Sequence, residues 1–265
     1  MSLNVIEPNK VIQDAVYIGD YKFSCGNNVP IYHVGSVYSL TQIIGYVKYI
    51  NSSYGNVFYR GQCKLHDSIE SSIYHGITSD KARQRRNALL NEIISRAMND
   101  KGFANFLKLD GSTISRIKIE SVFQHYGILT HYIDVVDNHW TALWFGGNRY
   151  ISYLKDSFCK YEKRTINLID VLQKRTELSQ NDYADFLASI RDDMYQYLLM
   201  IAVSKEETPF GNGINEGTDT ISVDLRNTLP STFLRPHAQH GWTVKKKTSD
   251  NIHLSLIHIS EPTRQ

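Results

Sequence analysis

Residues Tyr195 to Val203 read Tyr-Gln-Tyr-Leu-Leu-Met-Ile-Ala-Val, an apolar run broken only by one Gln near its start. It lacks the period-2 alternation of a strand with one wet face, so it predicts a strand buried on both sides. It falls far short of the ~20 apolar residues that cross a bilayer, and no other run in the chain approaches that length. Such a strand has to be covered, and the upstream half carries helical stripes suited to cover it.

The first stripe spans Ser36 to Ile50, with Val37, Leu40, Ile43, Ile44, Val47 and Ile50 at helical spacing and Ser36 or Ser39 as cap. A second helix is predicted over Asp80 to Asn99, turning Ala82, Leu89, Leu90, Ile93, Ile94 and Ala97 inward. Lys81, Arg83, Arg85 and Arg86 crowd its first turns, where the helix dipole disfavours cations. That cluster reads as a solvated face first and as a contact for an anionic partner second. Ile114 to Tyr126 forms a third stripe that Gly127 terminates, and Asn138 caps a fourth containing Thr141 to Phe145. Ile166 to Leu178 and Asn181 to Ile190 add two more helices. Strands are predicted at Val16 to Phe23, at Val57 to Tyr59, at Ile221 to Leu225 and, last, at Gly241 to Val244. Glu206 to Asp219 reads as a Gly-rich loop. The expected architecture is one α+β domain, helix-rich in its first half, with a mixed or antiparallel sheet completed by the second.

With 265 residues, 42% hydrophobic and 21% charged, the chain can bury a core without disulfides or metals. A net charge of +2 excludes binding driven by bulk positive charge and confines any nucleic-acid contact to local patches. Seventeen tyrosines suit half-buried rims and pocket walls. Cys25, Cys63 and Cys159 are far apart and form no Cys-x-x-Cys pair, which supports neither a disulfide framework nor a structural zinc site. Cys63, three residues after Arg60, reads as packing before nucleophile. His125 and His131, like His237 and His240, lack the His-Glu-x-x-His spacing of a metal hydrolase, so no metal is expected. The polar N-terminus, Met1 to Lys10, holds no apolar signal segment, and a cytoplasmic location is expected.

The chemistry concentrates in three blocks. Phe58-Tyr59-Arg60-Gly61-Gln62 ends an apolar run, placing the Arg60 fork at a strand's exit where it can meet a phosphate or carboxylate. Gln124-His125-Tyr126-Gly127-Ile128-Leu129-Thr130-His131-Tyr132-Ile133-Asp134 follows about 60 residues on. Arg235-Pro236-His237-Ala238-Gln239-His240-Gly241-Trp242-Thr243 closes the set. The first block resembles the motif that names the FRG domain family, and the second resembles that family's Gln-His-Tyr-Gly-Leu-Pro-Thr-Arg-Leu-Leu-Asp-Trp-Thr. Thr141-Ala142-Leu143-Trp144-Phe145-Gly146 is similar to its Ala-Leu-Tyr-Phe-Ala helix, and the third block to its closing Arg-x-x-x-Gln-x-Gly-x-Phe. The blocks keep family order over about residues 35 to 245. Where the family has Pro, Arg, Trp and Thr, this chain has Leu129, His131, Val135 and Val136, and His131 forfeits a bidentate fork.

The resemblance implies an FRG-like domain over residues 35–247, preceded by a lead-in with the first strand at 1–34. Residues 248–265 form a truncated end: 254–264 resemble a translated sequencing adapter, which sets them outside fold reasoning and places the cut near Ile252 or His253. The blocks nominate Arg60, Gln62, Gln124, Tyr126, Thr130 and Arg235 as ligand-binding residues and His125, Asp134 and Gln239 as catalytic ones.

Three readings stay open. In the first, the protein handles a nucleotide such as NAD in chemistry related to ADP-ribosyl transfer, with NAD as substrate and no bound cofactor. Arg60 then grips pyrophosphate, His125 meets ribose hydroxyls, Thr130 or Tyr126 lines the nicotinamide pocket, and Asp134 stabilises an oxocarbenium-like centre. Gln239 stands where a late Glu would serve that chemistry. In the second, the domain senses an anionic ligand or nucleic acid without catalysis. In the third, Arg60 and Asp134 are a buried pair that fixes a loop. The sequence leaves oligomeric state undetermined.

Overall fold

The computed structural model describes residues 4–7, 10–24, 28–152, 159–164, 168–209, 211, 213–247 and 256–262. The chain enters as a hairpin, β1 (Ala15–Lys22) and β2 (Asn28–Val34), then runs through α1 (Val37–Ile50) into β3 (Gly55–Gln62). Three helices follow, α2 (Asp80–Asn99), α3 (Lys101–Leu107) and α4 (Thr113–His125), ahead of the short β4 (Ile133–Val136). Next come α5 (His139–Gly147), the separate hairpin β5 (Asn148–Ser152) and β6 (Cys159–Lys163), and the pair α6 (Leu168–Glu177) and α7 (Gln180–Met194). The last part holds β7 (Tyr195–Ser204), β8 (Glu206–Pro209), β9 (Ile214–Gly217), β10 (Thr220–Asp224), α8 (Leu225–Thr228), α9 (Leu234–Ala238), β11 (Gly241–Lys246) and β12 (Leu256–Pro262).

Ten strands form one sheet in the order β1-β2-β12-β7-β3-β4-β11-β10-β9-β8. Every join is antiparallel except β2–β12, so the sheet is mixed and the chain is a single α+β domain. The apolar run at β7 is buried on both faces. Leu198, Met200 and Ala202 pack with Leu40, Ile43 and Val47 of α1 and with Ala142 and Leu143 of α5. Leu199, Ile201 and Val203 pack on the opposite face with Phe58, Val135 and Val244. A third cluster joins α4 to the β10 side, and a fourth wedges Ile73 and Tyr74 between α2 and α4.

The caps read from sequence form as expected. The Ser36 side chain accepts from the Ser39 amide, Asn138 accepts from the Trp140 and Thr141 amides, and Gly127 takes φ +87° beyond α4. Three expectations are corrected. The strand expected over Val57 to Tyr59 runs through Gln62, so Arg60 lies inside β3, paired with Leu199, and not at its exit. The expected loop over Glu206 to Asp219 contains the antiparallel pair β8–β9, with Gly211 and Gly213 at positive φ between the two strands. Leu89, expected inward, is 56% exposed, because the apolar face of α2 is narrow and centres on Leu90 and Ile94. Apart from these corrections, residues set outside fold reasoning as resembling an adapter are placed as β12, whose backbone runs between β2 and β7. Two facing strand edges leave rows of N–H and C=O groups that an extended segment satisfies. The sequence also predicts a turn at Gly26-Asn27-Asn28, and its first two residues lie outside the described residues.

No helix among the described residues is long and apolar enough to cross a membrane.

Candidate functional site

β3, β4 and β11 lie side by side, and α5 crosses over β3. That crossing sets the motif's glycine. A Cβ on Gly61 would collide with the Ala142 carbonyl and crowd the Gly146 amide, so only glycine lets β3 pass beneath α5. The neighbouring Arg60 contributes to the linings of two hollows.

The first hollow, about 240 Å³, is lined by Tyr59, Arg60, His125, Asp134 and Gln239, with Arg235 at its edge and Phe145 and Trp242 as flat walls. Arg60, His125, Asp134, Arg235 and Gln239, all nominated from sequence, thus meet at one cavity. Arg60 donates from Nη1 to the Asp134 carbonyl at 2.7 Å, so the expected charge pair is a bond to backbone. It uses one of five guanidinium N–H groups, and no other partner occurs among the described residues. Burial lowers the Arg60 pKa, and the Asp134 charge opposes that shift.

The Asp134 carboxyl accepts from Gln124 Nε2 at 2.8 Å through Oδ2, while its Oδ1 is sealed and unpartnered. Burial raises its pKa against the opposing pull of the Gln124 bond, Arg60 and Arg235. His125 Nδ1 stands 4.0 Å from that Oδ1, beyond hydrogen-bond range, and His125 Nε2 is also buried without a partner. Burial first, and the Arg235 charge second, push the His125 pKa down to about 4, which keeps the imidazole neutral at pH 7. Tyr59, another lining residue, is fully buried, and its hydroxyl has no hydrogen-bond partner among the described residues. Arg235 is exposed and its guanidinium has no partner among the described residues.

Four nominated residues do other work. Thr130 is fully buried: its hydroxyl donates to Gln124 Oε1 at 2.6 Å and accepts from the Tyr132 amide, so it lines no pocket. Gln124 is clamped between Ser72, Thr130 and Asp134, and it aims the Asp134 carboxyl. Tyr126 sits outside the cavity, 47% exposed and edge-on to His125 and Phe233. Gln62 lies beyond the lining, under Gly146.

His131, which replaces the motif's Arg, is explained by a partner the sequence reading missed. Glu120 on α4 is buried, and His131 reaches it through Nδ1 at 2.7 Å and through its backbone amide at 3.1 Å. Lys245 on β11 completes the pair from the other oxygen at 3.0 Å. Burial by itself raises the Glu120 pKa, yet the His131 hydrogen bond and the Lys245 charge prevail and hold it at about 2. The signal was present: Glu120 stands one helical turn from Ile117 on the core face of α4. A second missed network fixes Trp242, whose indole N–H donates to Asp137 Oδ2. Arg226 bonds the same oxygen as well as both oxygens of Asp224.

Part of the basic cluster on α2 is structural. Arg86 donates to the Ile73 and His75 carbonyls, and Arg83 lies over the Tyr74 ring.

Fold and site together define a single-domain α+β protein with an arginine-bearing central strand opening on a half-enclosed polar cavity. Residues 55–152 match the family model of the FRG domain. The match runs from the start of β3 to the end of β5 and takes in the first two sequence blocks; Arg235, Gln239 and Trp242 lie outside it. No curated protein and no solved structure matches the chain.

Proposed function

We propose that the Arg60 cavity binds a small anionic ligand of the nucleotide class. One observation carries the reading: the Arg235 guanidinium, without a hydrogen-bond partner among the described residues, shares the lining of one cavity with Arg60, His125 and Asp134. Phe145 and Trp242 give a base flat apolar surface, and a guanidinium fork suits phosphate. At about 240 Å³ the hollow lies below the 300–1,000 Å³ of typical drug-sized sites, and it takes a nucleoside-sized group.

Binding is better supported than transfer. Ribosyl transfer asks for an ionised carboxylate beside a developing cation. Here burial raises the Asp134 pKa while Gln124, Arg60 and Arg235 pull it down, and two flanking guanidinium groups oppose a developing cation. ADP-ribosyl-type chemistry is therefore the narrower version of the same reading.

Calorimetric titration with AMP tests the proposal. Saturable binding that Arg235→Ala weakens at least tenfold, with an unchanged melting temperature, is the expected result. No heat from the native protein, or equal affinity in Arg235→Ala, overturns it. Label released from NAD by the native protein and lost in Asp134→Asn would add transfer to binding.

A further inference from the structure

Arg60 lines a second hollow. On its other side a cavity of about 370 Å³ is bounded by Arg60, Glu70, Arg86, Gln124, Leu129 and Ile133, among others. Arg60 is thus the shared wall of two cavities, with a single described hydrogen bond to a backbone carbonyl. The second hollow has its own recognition chemistry. The Glu70 carboxylate has no partner among the described residues and suits sugar hydroxyls or a base amino group. Arg86 is anchored by backbone carbonyls and brings a second fixed cation to the lining. Leu129 and Ile133 add apolar surface.

We propose that the two cavities together form a dinucleotide site, with the bridging pyrophosphate at Arg60 and one nucleoside half in each hollow. This rests on the nucleotide reading of the first cavity and extends it: the ligand class narrows from any nucleotide to two nucleosides joined through phosphates. An arginine shared by the linings of two pockets of nucleoside size fits that shape, because pyrophosphate presents acceptors midway along the molecule. Leu129 also acquires a role. The motif's Pro has been replaced by a flexible, 45% exposed apolar side chain on the second hollow, away from the first.

Titrations of AMP and NAD against the native chain and Leu129→Trp test this. NAD is expected to bind at least tenfold more tightly than AMP. Leu129→Trp, which fills the second hollow, should erase that gap while leaving AMP affinity unchanged. Should Leu129→Trp melt early, Leu129→Asp replaces it, setting a like charge against phosphate with no added bulk. Equal affinities in the native protein, or a gap that survives both substitutions, overturns the dinucleotide site and leaves the first cavity's reading intact. Absence of both AMP and NAD binding removes that earlier reading instead.

Discussion

Gly61 shows how one residue decides whether the site exists. Its α-hydrogen faces the Ala142 carbonyl, and the obstacle to any side chain is helix backbone, which cannot swing aside. Gly61→Ala should therefore cost at least ~3 kcal/mol, near the severe end of single substitutions, or prevent soluble expression; chemical denaturation checks this. His131 is a contrasting case, because its replacement of the motif's Arg looked like a loss from sequence alone. The buried Glu120 shows what that position serves, and the imidazole still meets it. Removing His131 leaves the buried Glu120 carboxylate with Lys245 as its one charged partner, so His131→Ala should cost roughly 2 kcal/mol, whereas His131→Arg, which keeps a donor to Glu120, should cost less than half of that. If the alanine and arginine variants unfold at the same denaturant concentration, the pairing contributes nothing. The spacing of Glu120 from Ile117 marks it as core-facing, but its partners His131 and Lys245 come from outside the helix and are not legible in the sequence.

At the scale of elements, local signals were legible wherever they were self-contained. The α1, α4 and α5 boundaries follow from Ser36, Gly127 and Asn138, whose capping geometry needs only a few neighbouring residues. Asn138→Ala should lower stability by about 1 kcal/mol through its two amide bonds, read as a modest drop in melting temperature. The elements that escaped depend on partners far along the chain. β4 has four residues and one described pairing to β3, so its strand character comes mainly from β11. β8 and β9 were hidden by glycines that suggest a loop. Arg60 was placed at a strand end because the apolar run stops there, although backbone pairing with β7 carries on through Gln62. β12 sits between β2 and β7, whereas β3, β4 and β11 frame the cavity. A chain ending at Lys247 should melt earlier yet bind AMP with unchanged affinity, and loss of that binding would tie the site to the outer sheet.

Across the whole molecule, the cavity's chemistry and the domain's acid sensitivity share residues. The His125 pKa falls from 6.5 in the unfolded chain to about 4 in the fold, so the unfolded state binds more protons between those values. Its contribution, roughly 3 kcal/mol, is complete above pH 6.5 and is lost as pH falls toward 4. Glu120 behaves as a depressed carboxylate: its contribution is complete above about pH 4.5 and disappears as pH falls through 2. Stability should then decline in two stages on acidification. His125→Gln should flatten the upper stage, between pH 6.5 and 4, and a decline that persists there unchanged would assign it to other groups. The convergence of Arg60, His125, Asp134, Arg235 and Gln239 was legible as a set of blocks, whereas the aromatic walls and the second hollow were not, since both depend on α5 and α4 packing against the sheet. The central claim is that these residues receive a nucleotide-class anion. The most direct measurement is a crystal structure of the protein with ADP at a saturating concentration. A phosphate oxygen within about 3 Å of the Arg235 or Arg60 guanidinium, with the base against Phe145 or Trp242, is the predicted result; ADP bound elsewhere, or an empty cavity at that concentration, would contradict it.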